Sequence, residues 1–288
     1  MLKKCLKYDL QAICRIWWIL AATMAGAAAI AAIALRFLLQ TAMSRHPSDI
    51  QVLLSIFSGL GAGLCFLAMV AAWTVTVILV YWRAYTHFYT DEGYLTFTLP
   101  VKRSTLYLSK VLTAAIVQTT TTLLLILSIA LLLLVVPPVE DGGLINPIVY
   151  TTLGDGLRFL ADLSGSGWIL VWGLSLLPLL FLTHFFSSGL TFLCITVGSV
   201  IAKKHKLLAA IGIYYGVTSV LSFVGQFVFY IFSAGFVGLF DILFAAEMPL
   251  PGISVTVLIL IVDLAVACLA AVTHFVTVHL VERKLNLA

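Results

Sequence analysis

Six long stretches of the chain, 17–39, 52–82, 111–136, 168–201, 207–239 and 253–281, carry few polar side chains. Each holds the roughly 20 apolar residues that a helix needs to cross a hydrocarbon core about 30 Å thick. Their leucine, valine and phenylalanine run continuously, whereas the strands of an outer-membrane barrel would alternate apolar with polar positions. The pattern therefore predicts an all-α membrane protein with six transmembrane helices in a single transmembrane domain spanning 1–288. Several stretches exceed the minimum length, so they must tilt, project beyond the bilayer or contain a break.

The connections are unequal in character. Over 3–16, Leu6, Leu10 and Ile13 share a helical stripe, with Lys3, Lys7 and Asp9 off it. This predicts an amphipathic elbow helix in the interface, entering the membrane at Trp17 and Trp18, which suit the headgroup layer. Between the second and third stretches, Asp91, Glu92 and Gly93 make a turn and Pro100 interrupts any helix ahead of Lys102 and Arg103. Tyr94, Leu95, Phe97 and Leu99 lie between them, more bulky apolar residues than a solvated loop needs. Such a knob buries one face either on another protein or on the membrane surface and the chain's own second span. Over 137–167, Pro137-Pro138 and Asn146-Pro147 are breakers, and Leu153, Leu157 and Leu160 then recur at helical spacing, predicting a short external helix. The fifth stretch ends with Gly235, Gly238 and Asp241, where a break would leave a short re-entrant or external helix before Pro249 and Pro251.

Composition agrees with this picture and narrows it. Of 288 residues, 62% are hydrophobic and 10% charged, against about 25% charged in an ordinary soluble domain. The mean hydropathy is +1.14. A soluble enzyme, a disordered linker and a nucleic-acid binder are all poor readings, and the net charge of +4 is too dispersed for a polyanion. The placement of charge sets the orientation. Lys3, Lys4, Lys7, Arg15, Arg83, Lys102, Arg103, Lys110, Lys203, Lys204, Lys206, Arg283 and Lys284 fall on one side, and only Arg36, Arg45 and Arg158 on the other. By the positive-inside rule both termini are cytoplasmic. Lys3 and Lys4 ahead of small residues at Ala27–Ala29 resemble a secretory leader. However, an amphipathic segment intervenes, the stretch continues to Leu39, and its removal would leave an odd number of spans. The cysteines (Cys5, Cys14, Cys65, Cys194, Cys268) have neither disulfide nor zinc spacing, and no metal site is expected.

No phosphate-binding G-x-x-x-x-G-K-[ST] loop, H-E-x-x-H or G-x-S-x-G occurs, so no catalytic residues are assigned. Gly59 and Gly63 lie within a span and read as a helix-packing notch. Asp263 sits near the middle of the sixth span, where a charged carboxylate costs about 2.5–3.5 kcal/mol. It reads either as an ion-coupling or substrate-contacting group or as a protonated, hydrogen-bonded aspartate joining helices. Gln118 and the run Thr119–Thr122 read as pathway lining or as interhelical glue. His184 and His274 fit packing or interfacial positions.

The stretch Tyr89-Thr90-Asp91-Glu92-Gly93-Tyr94-Leu95-Thr96-Phe97-Thr98-Leu99-Pro100, followed by Ser109-Lys110, resembles the first cytoplasmic loop of permease subunits of bacterial type-2 ATP-binding-cassette exporters. Leu6-Lys7-Tyr8-Asp9-Leu10 and Lys284-Leu285-Asn286-Leu287 are similar to the ends of the same group, so the likeness covers the whole chain, although only the loop is specific. The resemblance implies a multi-pass subunit of the bacterial cytoplasmic membrane that is not itself an enzyme. It implies a coupling helix in which Asp91, Glu92, Gly93, Tyr94, Leu95, Leu99 and Pro100 dock in a groove of a separate ATPase. ATP and Mg would then reside in that partner, with no cofactor bound by this chain. A second permease subunit, identical or different, and membrane lipid complete the implied partners, without nucleic acid. Two other classes fit the residues: an ion-coupled secondary transporter using Asp263, and a non-transporting membrane sensor or assembly subunit.

Overall fold

A computed structural model of the chain describes residues 1–42, 48–90, 101–135, 155, 166–202, 205–245 and 251–283. Among these the architecture is wholly helical: α1 (Leu2–Ala42), α2 (Asp49–Tyr89), α3 (Arg103–Val135), α4 (Ser166–Ile201), α5 (Lys206–Ala245) and α6 (Pro251–Arg283). All six are long and apolar enough to cross a membrane. A helix satisfies its own backbone hydrogen bonds, which hydrocarbon cannot do for it. Large side chains such as Leu64, Leu174 and Leu264 stay about two-thirds exposed. In water that surface would be untenable, whereas facing acyl chains it carries no penalty.

Local chemistry sets several helix ends. α2 opens on a reciprocal capping box: the Gln51 N–H donates to Ser48 Oγ at 3.3 Å, and the Ser48 N–H donates to Gln51 Oε1 at 3.0 Å. Asp49 in the first turn adds a favourable interaction with the helix dipole. α6 opens on Pro251, whose missing N–H would be unpaired there in any case. Pro178 lies inside α4, which continues to Ile201.

The helices run further than the apolar stretches, and two expected breaks differ. Residues 3–16 do not form a separate elbow ahead of the first span, because α1 is one unbroken helix of 41 residues. Nothing between Leu10 and Leu20 is a glycine, a proline or a capping pair, so no local signal stops the helix. α5 likewise passes through Gly235 and Gly238 and ends at Ala245. Isolated glycines lower helix stability without ending a helix whose other residues favour it. The expected docking segment 91–100 lies outside the described residues, as do residues 246–250 and, Asp155 excepted, 137–165.

The chain divides into two compact units. One comprises Tyr8–Trp82 and Val117–Arg158. Its apolar centre is built from Ala28, Ala31 and Ala32 of α1, Met69 of α2 and Leu132 of α3. Small residues on α1 let neighbouring backbones approach, which is how helices gain contact without a hydrophobic drive between them. The other comprises Met1–Lys7, Arg83–Ile116 and Phe159–Ala288, and in it α4 packs against both α5 and α6. The α4–α5 crossing is tight at Gly198, where an added methyl would lie 2.6 Å from the Ala210 backbone nitrogen. At Gly189 the same addition would lie 3.1 Å from Thr273 Oγ1 of α6.

Candidate functional site

Within the second of these units, the two ends that flank 91–100 are tied to other helices. Tyr89, the last residue of α2, is buried, and its hydroxyl lies 2.5 Å from Thr196 Oγ1 of α4. Thr196 also donates to the Phe192 carbonyl at 2.8 Å, so its remaining lone pairs are free to accept from Tyr89. Arg103, the first residue of α3, places Nη1 3.5 Å from the Val281 carbonyl near the end of α6. A cation there meets the negative end of the helix dipole. One turn on, the buried Tyr107 ring stands edge-on to Phe192 of α4 at 6.0 Å and 5.3 Å from the His274 ring of α6. The helix ends on either side of the expected docking segment are therefore anchored into α4 and α6.

The polar run of α3 belongs to the other unit, and two of its threonines bind tryptophans. The Trp17 indole N–H of α1 donates to Thr121 Oγ1 at 2.8 Å, and that of Trp73 of α2 donates to Thr122 Oγ1 at 3.3 Å. The Thr121 hydroxyl itself donates a hydrogen bond to the Val117 carbonyl at 2.6 Å, which leaves a lone pair for the indole. The pairing recurs between α4 and α6, where Trp172 donates to Thr256 at 3.2 Å. An indole N–H can only donate, so in an apolar setting it needs an acceptor from a neighbouring helix. Trp17 thus has a definite interhelical partner, which its expected headgroup position did not foretell.

These bonds carry a testable order of effects. Trp17→Phe is expected to lower stability by about 0.5–1.5 kcal/mol, the net value of one interhelical hydrogen bond. Thr121→Val is expected to cost more, because it leaves the indole donor unpaired, and Thr121→Ser should restore most of the loss. Equilibrium unfolding in mixed micelles measures all three.

The remaining candidates are distributed rather than gathered. Gln118 is buried in α3. Thr119 Oγ1, one residue on, is a buried atom with no hydrogen-bond partner among the described residues. The same holds for Asp263 Oδ1 in α6, His184 Nε2 in α4 and His274 Nδ1 in α6. No hydrogen bond or ion pair links Asp263 to His184 among the described residues. Nor do any three described His, Cys, Asp or Glu side chains lie close enough together to hold a metal. Of the two glycines, Gly59 faces α1, where an added methyl would lie 2.6 Å from Leu38 Cδ1, while Gly63 has nothing within 4 Å. The five cysteines are free thiols. Asp91, Glu92, Gly93, Tyr94, Leu95, Leu99 and Pro100 lie outside the described residues.

Sequence reasoning passed over Tyr89, Thr196, Arg103 and Val281 as a group. Their only signal was position: two polar aromatic or cationic residues at the borders of an acidic-apolar loop. No protein family, curated protein or solved structure matches the chain.

Proposed function

We propose that the chain is the membrane-spanning, non-hydrolysing subunit of an ATP-driven exporter of the ATP-binding-cassette type in a bacterial cytoplasmic membrane. It works with a second permease subunit and with separate ATPase chains that hold ATP and Mg. The observation that carries this reading is the anchoring of both flanks of 91–100, through Tyr89 to Thr196 and through Arg103 to Val281. A partner that grips the segment would pull on two anchored helix ends. Its displacement would pass into α4 and α6 through one buried hydrogen bond and one dipole contact. The lysines and arginines gathered at this end, Arg83, Lys102, Arg103, Lys110 and Arg283 among them, support its being cytoplasmic, where ATP is.

In this mechanism ATP draws two ATPase chains together, and their grooves carry the two docking segments with them. The tied helices tilt, and the balance between inward-open and outward-open forms shifts by the difference in ATPase binding energy between them. If the adjacent reading frame encodes an ATP-binding-cassette ATPase, co-expression with that chain tests the reading. A stable complex that hydrolyses ATP should purify through a tag on this chain. If no ATPase co-purifies and flux persists after ATP depletion, the reading fails.

A second reading rests on Asp263, whose Oδ1 is buried without a partner among the described residues. An ionisable residue within a span is by default a candidate ion or substrate contact. It makes the chain an ion-coupled transporter, whose flux collapses with the proton or sodium gradient and is lost in Asp263→Asn.

A further inference from the structure

α3 and α6 meet beside the flank of 91–100 through two successive pairs. Arg103 Nη1 lies 3.5 Å from the Val281 carbonyl, at the long end of a hydrogen bond. The Tyr107 ring then stands 5.3 Å from that of His274, so α3 advances as α6 recedes and the two run antiparallel here. One turn on from Arg103 and one turn back from Val281, Tyr107 comes opposite Thr277. Tyr107 is 1% exposed and Thr277 is wholly buried. The Tyr107 hydroxyl nonetheless has no hydrogen-bond partner among the described residues. The Thr277 side chain is close enough to act on it, yet the two do not reach hydrogen-bonding geometry.

Thr277 is prepared to accept. Its own hydroxyl donates to the Thr273 carbonyl at 2.7 Å, which leaves lone pairs for a donor from another helix. The contact between α2 and α4 shows the same arrangement completed. There Thr196 donates to the Phe192 carbonyl at 2.8 Å, and the Tyr89 hydroxyl lies 2.5 Å from Thr196 Oγ1. Between α3 and α6 every part of that arrangement is present except the bond. A buried hydroxyl left unpaired is costly. Phenylalanine would keep the ring contacts with Phe192 and His274 without that cost. The hydroxyl of Tyr107 therefore has its use in a conformation other than this one.

We propose that Tyr107 and Thr277 form a latch between α3 and α6, open in this conformation and closed in a second one. In the closed form the Tyr107 hydroxyl donates to Thr277 Oγ1, and the first turn of α3 is drawn against the last turns of α6. The Arg103–Val281 contact shortens with it. The two forms differ by one buried hydrogen bond at the border of 91–100, so a partner that binds one form better shifts the balance between them. The latch goes beyond the exporter reading and does not rest on it, because every part of it belongs to this chain.

The test uses the full chain in lipid nanodiscs without other proteins. The native cysteines are replaced by alanine, and a trifluoromethyl probe is attached at Lys102→Cys, an exposed position just ahead of α3. Fluorine NMR is expected to show two environments for the probe, in proportions set by the latch. Tyr107→Phe should move the balance toward the open form about threefold to tenfold, the scale of one buried hydrogen bond. Thr277→Val should move it the same way by a similar factor, and Thr277→Ser, which keeps the oxygen, should restore most of it. Tyr215→Phe, which removes an exposed hydroxyl on α5, should leave it unchanged. Helical content by circular dichroism should be that of the wild type throughout, because no substitution removes an interhelical bond of the open form.

A single environment that no variant alters would overturn the latch. So would an effect of Tyr107→Phe without one of Thr277→Val, which would give the hydroxyl another partner, His274 or a trapped water. Loss of helical content in Tyr107→Phe would overturn it too, by showing that the hydroxyl is already bonded in the open form. An equal shift in Tyr215→Phe would do the same, by making the response unspecific. A missing ATPase partner would leave these results untouched and count only against the exporter reading.

Discussion

Gly198→Val is expected to destabilise the chain by about 3 kcal/mol or more, at the top of the range for overpacking a tight contact. The atoms nearest an added methyl are the Ala210 backbone nitrogen at 2.6 Å and its Cα at 2.7 Å, with its Cβ at 2.9 Å. A side chain in the way can change rotamer, but a backbone in the way moves only with its helix. Relief would require α4 and α5 to separate along their crossing. Ala210→Gly should therefore fail to rescue the variant, since it removes only the farthest of the three atoms. Gly173→Ala in the same helix is the control: nothing lies within 4 Å of that position, so the change should be neutral or mildly stabilising. Thermal unfolding of the purified protein distinguishes the three. A Gly198→Val variant as stable as wild type would mean that the α4–α5 crossing is looser than these distances.

The six spans were legible in the sequence because the bilayer imposes one requirement on every segment that crosses it. A window of apolar residues meets that requirement without reference to any partner. Their true ends were less legible. α2 continues seven residues beyond the apolar stretch that closes at Trp82, to Tyr89, and α3 begins eight residues ahead of Val111, at Arg103. Hydropathy reports where side chains prefer lipid, whereas the backbone stays helical through polar turns as long as no breaker intervenes. Gly59 and Gly63 carry the same local signal, yet only Gly59 faces Leu38, because which side of α2 meets α1 is decided by the other helix. Tyr89 with Thr196 and Trp17 with Thr121 were illegible for the same reason: the partners stand 107 and 104 residues apart. Periodicity can say that a threonine is polar in an apolar span but cannot say which tryptophan will find it.

That division bears on the exporter reading, because docking and transmission call on different residues. Leu95→Asp or Glu92→Lys is expected to weaken association with the ATPase at least 30-fold, the scale of losing one interface anchor of about 2 kcal/mol. The chain should still insert, since neither position lies in a span. Tyr89→Phe should behave in the opposite way. It removes the bond to Thr196 but keeps the aromatic ring, which stacks on Tyr85 at 5.9 Å and meets Phe88 edge-on at 6.2 Å. Thr196 retains its bond to the Phe192 carbonyl, so α4 loses no helical order. Binding of the ATPase should stay within about twofold of wild type. The rate of ATP hydrolysis by the complex, relative to the free ATPase, should change about threefold to tenfold, as expected for one buried hydrogen bond that differs between two states. Thr196→Val should shift the rate in the same direction and by more, because it leaves the buried Tyr89 hydroxyl unpaired, and the double variant should return to the Tyr89→Phe value. Equal binding loss in Leu95→Asp and Tyr89→Phe would mean that Tyr89 shapes the docking surface itself. Unaltered hydrolysis in Tyr89→Phe and Thr196→Val would remove this bond from the path between ATP and the membrane helices.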